Sequence, residues 1–322
     1  MNTLYIIGNG FDLHHQVKSN YHDFKKYLEQ NHSELLEIMG NYYDISNDSM
    51  LWWQFENGLK DFDSSELESE FAEHLPNYAS DDFRDRDRYD LEIYIENELS
   101  PFRKELQIAF NNWILSLEQP LIRKKIAFDN NSFFLTFNHT DTLERIYNIK
   151  RDQILYIHNK SENNGNDLIF GHSWYPGEWA KQRETKMPEG LTEEEQDSWR
   201  QEQADHYDYS IMRGYEAIDF FFTSIYKDCR TIIESNKAFF KALKNIRCIN
   251  IIGHSLSIVD KPYFEEVIKH IDKDNSKWMA SYYSNNDKVK HLEFIHSLGI
   301  DFNCITIYKL PEVKRPIQTT FF

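Results

Sequence analysis

Leu4-Tyr5-Ile6-Ile7-Gly8-Asn9-Gly10-Phe11-Asp12 sets apolar residues on consecutive positions and runs them straight into a glycine-rich turn. Neighbouring side chains of a strand point to opposite faces, so an unbroken apolar run needs both faces covered, as in a parallel sheet with helices above and below. The pattern recurs along the chain. Phe133-Phe134-Leu135-Thr136-Phe137 runs into Asn138-His139-Thr140, Ile154-Leu155-Tyr156-Ile157 into His158-Asn159, Leu168-Ile169-Phe170 into Gly171-His172, and Cys248-Ile249-Asn250-Ile251-Ile252 into Gly253-His254-Ser255. Two more strands are predicted near 278–283 and 303–308. Short runs of this kind with helical stretches between them predict an α/β fold, doubly wound on a mainly parallel, Rossmann-like sheet.

The stretch between the first two strands is too long for one crossover. Helical spacing appears at 21–30, 51–62 and 89–117, with Pro101 expected to break or kink the last. The whole chain, 1–322, therefore reads as a single α/β domain carrying large helical insertions at about 20–120 and about 174–244. Thr192-Glu193-Glu194-Glu195 is a helix start within the second. The acidic portion of the first, with Asp81, Asp82, Asp85 and Asp87, reads as solvated surface. No internal repeat or low-complexity linker is found.

Composition narrows the function. The 322 residues are 40% hydrophobic, 28% charged and 15% aromatic, which excludes a mainly disordered chain. With 36 Lys+Arg against 53 Asp+Glu the net charge is −17, a field that repels nucleic acid and anionic membranes; Arg123-Lys124-Lys125 is the one short basic run. Cys229, Cys248 and Cys304 are too far apart for a disulfide framework or a paired-cysteine metal site and suit a reducing compartment. The N-terminus has neither the basic flank nor the apolar stretch of a signal peptide, and no apolar run nears the roughly 20 residues of a spanning helix. The expected location is the cytoplasm.

In an open parallel sheet ligands bind beyond the carboxyl ends of the strands. Gly8-Asn9-Gly10-Phe11-Asp12 permits a tight turn and close approach of a phosphate to the backbone, although Leu13 stands where a dinucleotide fingerprint has its third glycine; a plain strand-to-loop turn reads equally well. Asp12 would hold a ribose hydroxyl or cap the following segment. At the second strand end, beyond Thr136, Asn138 offers both donor and acceptor to a water or ribose hydroxyl, and Asp141 with Glu144 suggests a reciprocal helix cap. His158 at the third is a candidate general base, since imidazole titrates near neutral pH. His172 after Gly171 and His254 after Gly253 line the same cleft or simply pack there.

Other chemistries fit less well. No histidine pair has the i, i+4 spacing with an adjacent acid that marks a zinc helix, so no metal ligands are assigned. Gly253-His254-Ser255-Leu256-Ser257 lacks the second glycine of the hydrolase elbow. A metal-dependent nuclease would have to use Asp301 with Glu312-Val313-Lys314, a loose pattern.

Four blocks carry a family resemblance: Ile6-Ile7-Gly8-Asn9-Gly10-Phe11-Asp12-Leu13-His14, Phe134-Leu135-Thr136-Phe137-Asn138-His139-Thr140-Asp141-Thr142-Leu143-Glu144, Ile157-His158, and Ile252-Gly253-His254-Ser255-Leu256-Ser257-Ile258-Val259-Asp260. Together, in this order, they resemble the AbiH-type bacteriophage abortive infection proteins, which in turn look like distant relatives of sirtuin-like defence domains. The second resemblance implies that Asn138 and His158 carry the chemistry, with Gly8, Gly10, Gly253, Ser255 and Asp260 around a nicotinamide dinucleotide. His139 departs from an expected tyrosine, and Asn159 from the glycine expected after the histidine. The sirtuin zinc ribbon is absent, since three cysteines cannot make a four-cysteine site.

The expected function is therefore phage defence by cleavage of NAD, or a related nucleotide, as substrate, with no cofactor required. A nucleotide sensor without turnover and a nuclease are the alternatives. Besides the nucleotide, the expected partners are a phage trigger and a second copy of the chain; membrane is excluded, and nucleic acid is disfavoured.

Overall fold

The structure, a computed structural model, describes residues 3–118, 126–129, 132–163, 168–183, 186–205 and 208–310. Arg123-Lys124-Lys125 and Glu312-Val313-Lys314 lie outside the described residues. The described chain divides into two compact units, one of residues 3–27, 110–169 and 228–310, the other of 28–109 and 170–227.

The first unit contains the sheet. Its strands are β1 (Thr3–Ile7), β2 (Ser132–Thr136), β3 (Ile154–Tyr156), β4 (Cys248–Ile252), β5 (Lys277–Tyr282) and β6 (Ile305–Lys309). They are all parallel, in the order β3-β2-β1-β4-β5-β6. That is the order of the dinucleotide-binding α/β folds, with a topological switch point between β1 and β4. Alternation along β1 shows why the run is continuously apolar. Leu4 and Ile6 enter a core with Phe240, Tyr263 and Phe264, whereas Tyr5 and Ile7 enter the core of the opposite face with Phe11, Leu143 and Tyr147.

The expected strand at Leu168-Ile169-Phe170 does not form. Ile169 N–H bonds the His158 carbonyl at 3.0 Å, but no ladder develops beyond it. The helices Cys229–Ser235 and Lys237–Ala242 also differ from expectation. They belong to the first unit, because Ile232 and Phe240 are part of the sheet core, so this unit resumes at residue 228 and not near 244.

The second unit is helical. Asp90–Ser116, which begins in it, continues through Pro101 without a break, and the stretch predicted at 51–62 is instead two single turns, Met50–Trp53 and Phe55–Gly58. Phe62 sits among Tyr42, Trp179 and Phe221, with ring centroids 4.9–6.1 Å away. Thr192 caps the helix Glu193–Asp205 reciprocally with Glu195, as its sequence predicts. Lys227, whose side chain is fully buried, donates to Glu56 Oε2 at 2.6 Å. None of the helices among the described residues is long and apolar enough to cross a membrane.

Candidate functional site

The exits of β1 and β4 meet at the switch point and interlock there. Gly8 N–H donates to the Ile252 carbonyl at 3.1 Å, Gly10 N–H to Gly253 O at 2.7 Å, and Phe11 N–H to Gly8 O at 2.9 Å. A Cβ on Gly8 would lie 2.5 Å from His254 Cα, one on Gly10 2.8 Å from Gly253 O, and one on Gly253, at φ +66°, 2.1 Å from Phe11 N. The glycines are thus needed for one loop's backbone to touch the other's. The backbone donors that a phosphate would use at positions 8, 10 and 11 are already committed to carbonyls. Asn9 is likewise engaged: its side chain donates to Ser19 O at 2.7 Å and accepts from Ser19 Oγ at 2.5 Å.

One turn further on, Asp12 is buried to 1% exposure in the helix Asn9–His14. Residues from the β2 exit converge on it. Asn138 N–H bonds Thr136 Oγ1 at 3.1 Å, and its carboxamide nitrogen donates to Gly8 O at 3.1 Å and to Asp12 Oδ2 at 3.0 Å. Thr140 Oγ1 donates to the same oxygen at 2.6 Å and lies 3.2 Å from Thr142 Oγ1. Oδ1 of Asp12 is buried with no hydrogen-bond partner among the described residues. Burial pushes the Asp12 carboxyl up from 3.8 to about 6, against the opposing pull of the Thr140, Thr142 and Asn138 bonds. Both N–H bonds of Asn138 are engaged, so its carbonyl oxygen is what it offers a ligand.

His158 and His254 gather around Phe137. The Phe137 ring lies 5.3 Å from His158 and 4.4 Å from His254, and Tyr263 lies 5.6 Å from His158. The turn that aims His158 uses Asn159 at φ +63°, a conformation that asparagine adopts more readily than other non-glycine residues. The departure from glycine at this position therefore preserves the turn. His254 Nδ1 accepts from Leu256 N–H at 2.9 Å, which places the neutral ring's proton on Nε2, 3.5 Å from Asp260 Oδ2. Ser255 is exposed. His139 completes the set, with Nδ1 3.0 Å from the Asn159 carbonyl and its ring 6.3 Å from that of His158.

Two expectations are corrected. Gly171 and His172 end no strand and belong to the second unit. Gly171, at φ +152°, lets the chain pass Ile225 so closely that a Cβ would fall 2.0 Å from its carbonyl oxygen. His172 bonds Phe222 O at 3.1 Å, and burial lowers its pKa to about 4, so it is neutral near pH 7. Asp141 and Glu144 form no reciprocal cap: Asp141 occupies the N-cap position of Thr142–Tyr147 without a side-chain capping bond, and Glu144 pairs with Lys160 at 2.8 Å.

Beside this cluster a groove of about 400 Å³ opens at the exits of β2 and β3. Ile114, Leu115 and Leu117 are among the apolar residues lining it, and His139, Thr140 and Asp141 among the polar ones. Ser161 Oγ donates to Asn111 Oδ1 at 2.6 Å and ties the two sides together. The sequence reading missed Thr140 and Thr142 as partners of Asp12. Two hydroxyls just past a strand end are the only local signal of that role.

A family model described as bacteriophage abortive infection AbiH matches residues 4–282, which spans β1 to β5 and the whole strand-end cluster. The chain belongs to the AbiH family. Membership places this AbiH chain in abortive infection, a defence against bacteriophage. No curated protein matches it. Among the described residues, no group of three or more His, Cys, Asp or Glu is arranged to hold a metal ion.

Proposed function

We propose that this abortive infection protein binds a nucleotide at the carboxyl ends of its strands and cleaves the N-glycosidic bond of NAD or a related nucleotide, halting growth by depleting it. The observation that carries the reading is the convergence of polar side chains from the β2 exit, Asn138 and Thr140, on one buried carboxyl of the β1 exit, Asp12, with His158 from the β3 exit close by through His139. In this reaction the bond from ribose C1′ to the nicotinamide nitrogen breaks, and the bonding pair leaves with nicotinamide. A water oxygen then bonds to C1′. Asn138 Oδ1 orients the water or a ribose hydroxyl, and His158 takes the proton that the water loses.

The test is nicotinamide release from NAD by purified full-length protein at high concentration, followed by chromatography. Release is expected from the wild type and not from Asn138→Ala or His158→Ala, each checked for its fold by circular dichroism. A folded Asn138→Ala protein that still releases nicotinamide and still arrests growth overturns the mechanism. The alternative is a nucleotide sensor without turnover, built on the same strand-end cluster. Saturable nucleotide binding without release would identify it.

A further inference from the structure

We infer that the nucleoside portion of the ligand enters the groove between the β2 and β3 exits, not the switch point between β1 and β4. This rests on the nucleotide reading above. At the switch point the two loops are in backbone contact, and neither room nor free donors remain at Gly8, Gly10 and Phe11. The groove has what that crevice lacks. Its volume of about 400 Å³ lies within the range of roughly 300–1,000 Å³ usual for small-molecule sites.

The lining combines apolar and polar groups, as a nucleoside does. The apolar side chains of Ile114, Leu115 and Leu117 suit the face of a base, which buries well against aliphatic side chains. Among the polar residues, the carboxylate of Asp141 suits a ribose hydroxyl, the role an acid plays in dinucleotide folds. Arg145 follows Asp141 by four residues, so both lie on one side of the helix that starts there. Their contact is loose, 3.8 Å between exposed groups, and such a pair contributes little. The guanidinium can therefore turn to a phosphate at small cost. Thr140 lines the groove and also bonds Asp12, which connects a bound ribose to the buried acid.

The experiment is calorimetric titration of the full-length protein with ADP-ribose, repeated on Leu115→Glu and Arg145→Glu. Both positions are exposed, so melting temperatures should match the wild type. The expected result is at least tenfold weaker binding in each variant. If the wild type binds and both variants bind within twofold of it, while Ser255→Arg at the β4 exit loses binding, the groove is wrong and the nucleotide reading stands. If ADP-ribose, NAD and ATP all fail to bind the wild type at millimolar concentration, both fall together.

Discussion

Replacing Asp12 with asparagine should change how stability depends on pH. The folded state holds this proton more tightly than the unfolded chain does, at about 6 against 3.8, so the folded state binds more protons over that interval. Wild-type stability must then fall as pH rises from below 3.8 through 6, and the whole interval is worth about 3 kcal/mol at about 1.4 kcal/mol per pH unit. Over the range between pH 8 and 5.5 the wild type should gain about 0.8 kcal/mol from this group, and about 2.4 kcal/mol by pH 4. The asparagine side chain has the same shape and no titrating proton, and its carbonyl can accept the bonds from Asn138 and Thr140. Its advantage over wild type should therefore be largest at pH 8 and shrink as pH is lowered. Urea denaturation of both proteins at pH 8, 5.5 and 4, followed by tryptophan fluorescence, reads this difference directly. A stability gap that stays constant with pH would refute the assignment of a raised acid at the β1 exit.

Gly253→Ala should cost about 3–5 kcal/mol, because a left-handed alanine is strained and its Cβ meets Phe11 N at 2.1 Å, whereas Gly299→Ala, at φ +82°, meets only the tip of Lys273 and should cost about 1–2 kcal/mol; paired urea titrations give the steric part as the difference. Asn159→Gly should leave the melting temperature nearly unchanged, whereas Asn159→Val should lower stability by about 1–2 kcal/mol, since a β-branched residue resists φ near +63°. Lys227→Met should cost about 3 kcal/mol by removing the buried ammonium that bonds the Glu56 carboxylate, and adding Glu56→Gln should recover part of that loss in thermal melts.

Burial decided which parts of the fold were legible in the sequence. Leu4-Tyr5-Ile6-Ile7 and Ile249-Asn250-Ile251-Ile252 announce their strands because a sheet covered on both faces leaves a nearly continuous apolar run. Leu168-Ile169-Phe170 carries the same mark without being a strand: Leu168 is buried by packing of another kind, and three apolar residues cannot distinguish the two. At the site, the strand-end positions of Asn138, His158 and His254 followed from the apolar runs before them. The meeting of Asn138 and Thr140 with Asp12 did not, since these contacts span 126 and 128 residues and depend on β1 and β2 being neighbours. The glycines were legible as a need for close approach, but the sequence does not say what approaches. Here it is the loop of the next strand.

That interlocking has an evolutionary consequence. At Gly8, Gly10 and Gly253 each new side chain would collide with the main chain of the opposite loop, so no single substitution at one position can be relieved by a side-chain change at another. An escape route would require remodelling both loops at once, a step that point mutation alone rarely takes. Such a trio will persist in descendants whatever their chemistry becomes. A glycine signature of this kind is a record of ancestry in the scaffold, and it can outlive any ligand that the scaffold once held.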